Sequence, residues 1–217
     1  MLNIPSPQSL FSEQHSFAIR IWHWCTFLFI SVSLITVLLA STVFTVKENI
    51  PMVQEELQKK GIIISPAQAK GVAHEYSDKL WMIHKYTGYV LCFLLVSRMF
   101  IEGFLSKAEK LKYKFRSILQ HNGRPTTTAD SSHYLFVKTG YLFFFLILII
   151  MSVTGLGLAY EDIPFFKAIH KTLIRVHSFA QYLMYLYILV HLVGVIRAEL
   201  TDNPGIVSGM INGNKAK

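Results

Sequence analysis

Three stretches of the chain are long, apolar and without charged side chains. They are Ile21 to Val46 with 26 residues, Thr139 to Tyr160 with 22, and Val176 to Ile196 with 21. An α-helix needs about 20 apolar residues to cross the hydrocarbon layer of a bilayer. Each stretch therefore predicts a membrane-spanning helix, and the chain is expected to be an integral, multi-pass membrane protein.

A fourth stretch, Leu80 to Leu105, predicts another span although it carries charge. Lys85 and Arg98 leave 12 uncharged residues between them, and Glu102 follows. We expect these two basic side chains to lie near the ends of the span and to snorkel toward the headgroups. The sequence thus predicts an all-α, four-helix bundle in one domain, residues 1–217. The predicted spans cover 18–46, 79–105, 133–160 and 172–199.

Composition excludes several other classes of protein. Only 16% of the residues are charged, against roughly 25% in soluble domains. With two cysteines, Cys25 and Cys92, the chain is no disulfide scaffold. The first apolar stretch exceeds the roughly 7–15 residues of a signal peptide, so we expect it to stay in the mature protein. The net charge of +8 is explained by the loops, so no nucleic-acid partner is expected.

The loops predict the orientation in the membrane. The loop 106–132 holds six basic and two acidic residues, whereas Lys47 to Lys79 holds five of each. By the positive-inside rule, the loop 106–132 and both termini are expected in the cytoplasm. Within that loop, Lys107 to Gln120 predicts a helix on the anionic leaflet. The outer loop 47–78 is interpreted as a solvated connector, with a short surface helix over Val53 to Lys60 as the alternative.

Four of the nine histidines fall inside the predicted spans: His23, His84, His177 and His191. An ionisable or metal-binding side chain in hydrocarbon is costly unless a partner or cofactor satisfies it. The other five lie in tails, loops or span edges, where a solvated histidine is the better interpretation. They are His15, His74, His121, His133 and His170.

The spacing of the four histidines predicts two pairs. His177 and His191 are fourteen residues apart, just under four helical turns, so they share a helix face at two depths. The predicted topology brings His84 to the depth of His177 near the outside, and His23 to that of His191 near the inside. This arrangement is typical of bis-histidine ligation of two b-type haems. Hydrogen bonding between helices is the alternative.

Other residues fit the same hypothesis. Each ligating imidazole needs an acceptor at its second ring nitrogen, for which backbone carbonyls and Ser, Thr and Tyr side chains are available. Gly88, one turn after His84, would let a flat macrocycle approach. Four arginines at the membrane edges are candidates for pairing with haem propionates, with snorkelling as the alternative. These are Arg20, Arg98 and Arg197 for the inner haem and Arg175 for the outer one.

The remaining features are less specific. The tryptophans Trp22, Trp24 and Trp81 are typical of interfacial aromatic belts. There is no motif for a nucleophilic triad, a Walker loop, a Rossmann fold or a zinc site. We therefore expect the chain to move electrons and to have no catalytic residues of its own.

Several segments together resemble a known family. They are Arg20 to Trp24, His84 with Gly88 and Arg98, His121 to Gly123, Val153 to Tyr160, and His191 with Arg197 to Leu200 and Gly205 to Gly213. This pattern resembles the b-type cytochrome subunit of membrane-bound nickel–iron hydrogenases, within the bacterial cytochrome b561 group. The tail after the last span is the most discriminating part, because haem ligation alone does not require it. Gly123 to Pro125 departs from the family's His-Asn-Pro pattern.

The resemblance implies a redox anchor in the bacterial cytoplasmic (inner) membrane, as part of a respiratory chain. Electrons would pass from the iron–sulfur small subunit and large subunit of a hydrogenase on the outer face, through two b haems, to menaquinone or ubiquinone. Similar subunits serve formate dehydrogenase and thiosulfate reductase. Two alternatives are a stand-alone oxidoreductase that passes electrons from a small donor such as superoxide to quinone, and a non-redox anchor or transporter.

Overall fold

The structure is a computed structural model of the 217-residue chain, and it describes residues 16–104, 129–202 and 204–213. Helices make up the regular structure of these ranges. They are α1 (Phe17–Thr42), α2 (Val46–Lys59), α3 (Pro66–Phe104), α4 (Ala129–Ala159), α5 (Pro164–Arg197), a π-helical turn (Ala198–Asp202) and α6 (Ile206–Asn212). The proposed membrane-surface helix over Lys107 to Gln120 lies outside the described residues.

Four of these helices contain segments long and apolar enough to cross a membrane, which confirms the predicted number. The segments are Phe17–Thr42, Pro66–Glu102, Thr139–Ala159 and Pro164–Thr201. Many of their large apolar side chains are exposed, such as Phe27, Phe93 and Leu189. In a bilayer such side chains face lipid, so their exposure carries no hydrophobic cost.

The loop predicted over 47–78 is largely helical, as its alternative interpretation expected, and none of the residues of α2 is buried. Helix α2 covers more than the alternative segment Val53 to Lys60. It ends where Gly61 adopts φ +79°, a conformation that glycine enters without a steric cost. Helix α3 then begins at Pro66, before the predicted span. Pro66 suits the first helical position, and Ser65 and Gln68 form a reciprocal capping box with N···O distances of 2.8 and 3.3 Å.

The chain divides into two compact units, and each is described by itself. One unit is Cys25–Phe93, called here the α1–α3 unit. Ala69 and Ala73 on α3 are fully buried, and small side chains let helices approach closely. Phe44 and Tyr76 place their rings 6.4 Å apart. The polar side chains of Ser33 and Thr36 are also buried in this unit, which requires internal hydrogen-bond partners.

The other unit comprises Met1–Trp24 with Leu94–Lys217, called here the α4–α5 unit. A short turn after Ala159 reverses the chain, so α4 and α5 pack as a helical hairpin. Ile147 and Leu148 are each 1% exposed in its core. A Cβ at Gly157 would lie 2.8 Å from Leu173 Cδ1, so glycine permits the close packing of the two helices. The hairpin is the scaffold of the candidate site.

Candidate functional site

The structure brings His23 of α1 and His191 of α5 together within the α4–α5 unit. Their ring centroids are 6.4 Å apart and their planes are inclined by 54°. Two imidazoles on opposite sides of one iron, each bonded at about 2 Å, place their centroids about 6 Å apart. The observed spacing therefore fits the separation that a single bis-histidine iron requires.

Aromatic side chains hold both rings. Tyr187, one turn before His191 on α5, stacks on it with centroids 5.9 Å apart and planes at 10°. Trp24 presents its ring edge-on to His23 at 5.3 Å and 88°. Such contacts restrict rotation of each imidazole about its side-chain bonds. His191 and Trp24 are nevertheless exposed on the surface of the unit, whereas His23 is half-buried.

Trp22, which adjoins His23, is buried rather than interfacial, so that prediction is wrong. Its ring stacks on Phe145 of α4 at 5.7 Å with planes at 14°, and its Nε1–H donates to Leu94 O at 2.7 Å. Because a backbone carbonyl satisfies the indole N–H, the ring can be buried without contact with the headgroup region. The beginning of α1 is thereby fixed to α4 beside His23.

The C-terminal tail packs against the same segment of α1. Arg20 Nη1 donates to Ile211 O at 2.9 Å, and Trp24 Nε1 donates to Met210 O at 3.0 Å. These carbonyls belong to the last turn of α6, where the backbone has no intrahelical donor. Sequence reasoning missed this contact, because its acceptors are main-chain atoms.

His84 lies in the α1–α3 unit, where its Nδ1 is held by α1. Nδ1 lies 3.2 Å from Ser33 O and 3.1 Å from Thr36 Oγ1. The carbonyl can only accept, and Thr36 gives its own proton to Ser33 O at 2.7 Å. Ser33 Oγ also lies 3.2 Å from Nδ1, and its hydroxyl can donate or accept. The contacts to Ser33 O and Thr36 Oγ1 form only when Nδ1 carries the proton, which leaves the lone pair on Nε2. This is the tautomer that ligates iron through Nε2.

The protonated ring nitrogen of His177, in the α4–α5 unit, follows from a similar argument. Its Nδ1 lies 2.8 Å from Thr154 Oγ1 on α4, and that hydroxyl gives its proton to Ile150 O at 2.6 Å. Since a hydroxyl has one proton, Thr154 must accept from His177 Nδ1–H. Gly155 makes room for the ring, because a Cβ there would lie 3.2 Å from His177 Cε1. The expected kinds of acceptor, a carbonyl or a hydroxyl, are thus present for His84 and His177.

Arg98 does not snorkel, which corrects the sequence prediction. Its side chain is 1% exposed and forms an ion pair with Glu102 at 2.7 Å. Arg98 Nη2 also donates to Tyr141 Oη of α4 at 3.2 Å. A buried charge needs such partners, and Glu102 supplies one from the next turn of the same helix. Whether Arg98 also contacts a haem propionate stays a prediction.

The predicted site residues not yet described are Arg175, Arg197 and Gly88. Arg175 and Arg197 are exposed on α5, and a Cβ at Gly88 would meet no atom within 4 Å. His170, half-buried, faces Glu161 with Nδ1 and Oε2 3.2 Å apart. His74 is exposed, whereas His15 and His121 lie outside the described residues. The assignment of Arg175, Arg197 and Gly88 to cofactor binding stays a prediction.

The described residues contain no cluster of three or more His, Cys, Asp or Glu side chains that could hold a metal ion. A structural zinc site needs four such ligands, whereas haem iron needs only axial ones because the porphyrin supplies the rest. Paired imidazoles on membrane-spanning helices are typical of b-type cytochromes. The two histidines of the His23–His191 site fit a haem iron in both residue type and spacing.

The comparison with known families agrees with this class. The family model for prokaryotic cytochrome b561 matches residues 14–213. The chain therefore belongs to the prokaryotic cytochrome b561 family, whose members are membrane proteins that bind b haem. No curated protein and no solved structure matches the chain.

If His177 ligates a haem, as the sequence predicts, Thr154 is expected to contribute to the retention of that haem. In the variant Thr154→Val, His177 Nδ1–H loses its acceptor, so the ring orientation and its basicity toward iron are both weakened. We expect roughly 10- to 100-fold weaker haem binding at His177, since this is the usual cost of losing such a partner. Haem retention during dilution into apomyoglobin, which captures released haem, measures the effect.

The matched control is Thr154→Ser, which keeps the hydroxyl and should retain haem as the wild type does. Equal haem loss from the Val and Ser variants would show that the methyl group, not the hydrogen bond, matters. No difference between the Val variant and wild type would contradict the assigned role of Thr154.

Proposed function

We propose that this cytochrome is the dihaem membrane subunit of a quinone-linked oxidoreductase. It transfers electrons between a partner on the outer face of the bacterial inner membrane and the membrane quinone pool. The observation that carries the proposal is the 6.4 Å spacing of the His23 and His191 rings. A bound haem supplies one-electron chemistry, because its iron cycles between the ferric and ferrous states.

The proposed second haem is held by His84 and His177. Support comes from the hydrogen bonding of the two imidazoles, because Nδ1 of each contacts a carbonyl or hydroxyl oxygen. Two independently fixed imidazoles of the same tautomer are what bis-histidine ligation through Nε2 requires. Their pairing rests on the depth argument from the sequence.

The protein side chains perform the remaining tasks. Trp24 and Tyr187 orient the imidazoles of the His23–His191 site, and Trp22 fixes the adjoining segment of α1 to α4. We assign Arg20 and Arg197 to the propionates of this haem and Arg175 to those of the other, because guanidinium groups bind carboxylates in a bidentate manner. Arg98, whose guanidinium is already paired with Glu102, is not assigned to a propionate. The charge of loop 106–132 supports an orientation with both termini in the cytoplasm.

The proposed partners are the iron–sulfur small subunit and the large subunit of a nickel–iron hydrogenase, and the electron acceptor is menaquinone or ubiquinone. The resemblance of the tail and the spans to the hydrogenase cytochromes supports this choice. In the test below, copurification of a formate dehydrogenase or thiosulfate reductase, or turnover without a partner, would contradict the choice of a hydrogenase.

The test is to purify the tagged chain from its native membranes in a mild detergent and to identify the subunits that copurify. The complex should reduce a soluble quinone analogue when hydrogen is supplied, and the variant His191→Ala should keep the partners but lose this reduction. Steady reduction of quinone by the isolated chain with superoxide as donor, without any partner, would overturn the proposed assembly.

A further inference from the structure

The C-terminal tail makes contacts at both of its ends with the segments that carry His23 and His191. We define the strap as the π-helical turn Ala198–Asp202 together with residues 204–213. We infer that the strap is a positioning element, which sets His23 against His191 and thereby tunes the iron site that the two histidines form. The inference rests on the proposed haem ligation.

One end of the strap is fixed to the helix of His191. The π-helical turn continues directly from α5, and Glu199 lies eight residues after His191. Its carboxylate accepts from Gly205 N–H and from Val207 N–H, both at 2.9 Å. These two hydrogen bonds fold the chain back, so that α6 begins at a defined place relative to the end of α5.

The other end is fixed to the helix of His23. Arg20 and Trp24, which lie on either side of His23 in the sequence, donate to the carbonyls of Ile211 and Met210. The Arg20 guanidinium also packs directly on Gly213, where a Cβ would lie 2.9 Å from Arg20 Cζ. Gly213 has φ +81° as well. Any other residue there would be strained and would push Arg20 away.

The strap therefore connects the segments of His23 and His191 through its own hydrogen bonds, in addition to the packing of α1 against α4 and α5. It leads from His191 through Glu199 and α6 to Arg20 and Trp24, which flank His23. A displacement of α6 must move the beginning of α1, because charge-assisted and indole hydrogen bonds both transmit it. Haem ligation alone requires no such tail, so its docking on the ligand segment has a positioning role.

The test compares two glycine variants of the strap in the haem-loaded protein. Gly213→Ala introduces strain and a clash with Arg20, whereas Gly209→Ala is a matched control, because a Cβ at Gly209 meets no atom within 4 Å. In Gly213→Ala we expect carbon monoxide to bind one of the reduced haems, and the haem of this site to be lost roughly tenfold faster. We also expect a changed g-value in the ferric electron paramagnetic resonance spectrum.

The control Gly209→Ala should match the wild type in all three measurements. Glu199→Gln, which is remote from the iron site and removes one carboxylate acceptor, should show the same changes as Gly213→Ala in weaker form. It also provides a second test in case Gly213→Ala does not fold.

The outcomes separate the inference from the proposed function. A wild-type protein without a bis-histidine haem at His23 and His191 would overturn both. A wild-type protein with this haem, together with strap variants whose spectra, carbon monoxide binding and haem loss are unchanged, would overturn only the positioning role. A lower yield with an unchanged spectrum in the loaded fraction would mark the strap as merely structural and would likewise overturn it.

Discussion

Replacement of His191 by alanine should reduce the haem content from two to one per chain. His191 is the histidine of α5 that lies beside His23, where we propose the iron, and the described part of the structure holds no cluster of alternative ligands there. The second haem, proposed at His84 and His177, should remain, because neither histidine depends on His191 for its Nδ1 hydrogen bond. Haem extracted as the pyridine complex, divided by protein concentration, measures the change.

The matched control is His170→Ala on the same helix. His170 is half-buried and faces Glu161 rather than another imidazole, so its loss should leave both haems in place. If His191→Ala retained two haems, the pairing of His23 with His191 would be wrong. If it lost both, the two sites would not be independent as proposed.

The second large effect is expected for Glu102→Ala. This variant leaves the Arg98 guanidinium, which is 1% exposed, without its carboxylate at 2.7 Å. Removing one partner of a buried ion pair costs about 3 kcal/mol or more, because a buried charge loses its compensation. The free energy of unfolding, measured in mixed micelles with increasing denaturing detergent, should fall by about this amount.

Two further variants identify the cause of the effect. Glu56→Ala removes an exposed carboxylate whose hydrogen bond from Lys59, aided by the charge of Lys59, lowers the pKa of Glu56. It should leave stability unchanged, because exposed pairs are screened by water. The double variant Arg98→Met with Glu102→Leu should recover most of the loss, since it buries no charge. An unchanged unfolding free energy in Glu102→Ala would contradict the structural role of the pair.

The parts of the fold that could be predicted from the sequence are those that a bilayer dictates. The length of the apolar stretches determines the number of spans, because a helix must satisfy its backbone within the hydrocarbon. The fourteen-residue separation of His177 and His191 likewise fixes which helix face they share. The early start of α3 at Pro66 was missed, although Ser65, Pro66 and Gln68 form a recognisable helix start.

The contacts within the candidate site were harder to predict, because their partners leave weak signals in the sequence. Arg98 and Glu102 have the spacing of a helical ion pair, but the sequence prediction was snorkelling, which also explains a charge near a span end. Trp22 has the residue type of an interfacial belt and is instead buried. The acceptors for Arg20 and Trp24 are carbonyl groups, which every residue carries.

The most direct test of the account is the stoichiometry and type of haem in the purified wild-type protein. The reduced-minus-oxidised spectrum should show b-type bands, and the extracted haem should amount to two per chain, both low-spin in the ferric state because both are bis-histidine ligated. One haem per chain would contradict the dihaem assignment. Absence of haem would contradict electron transfer by this chain altogether.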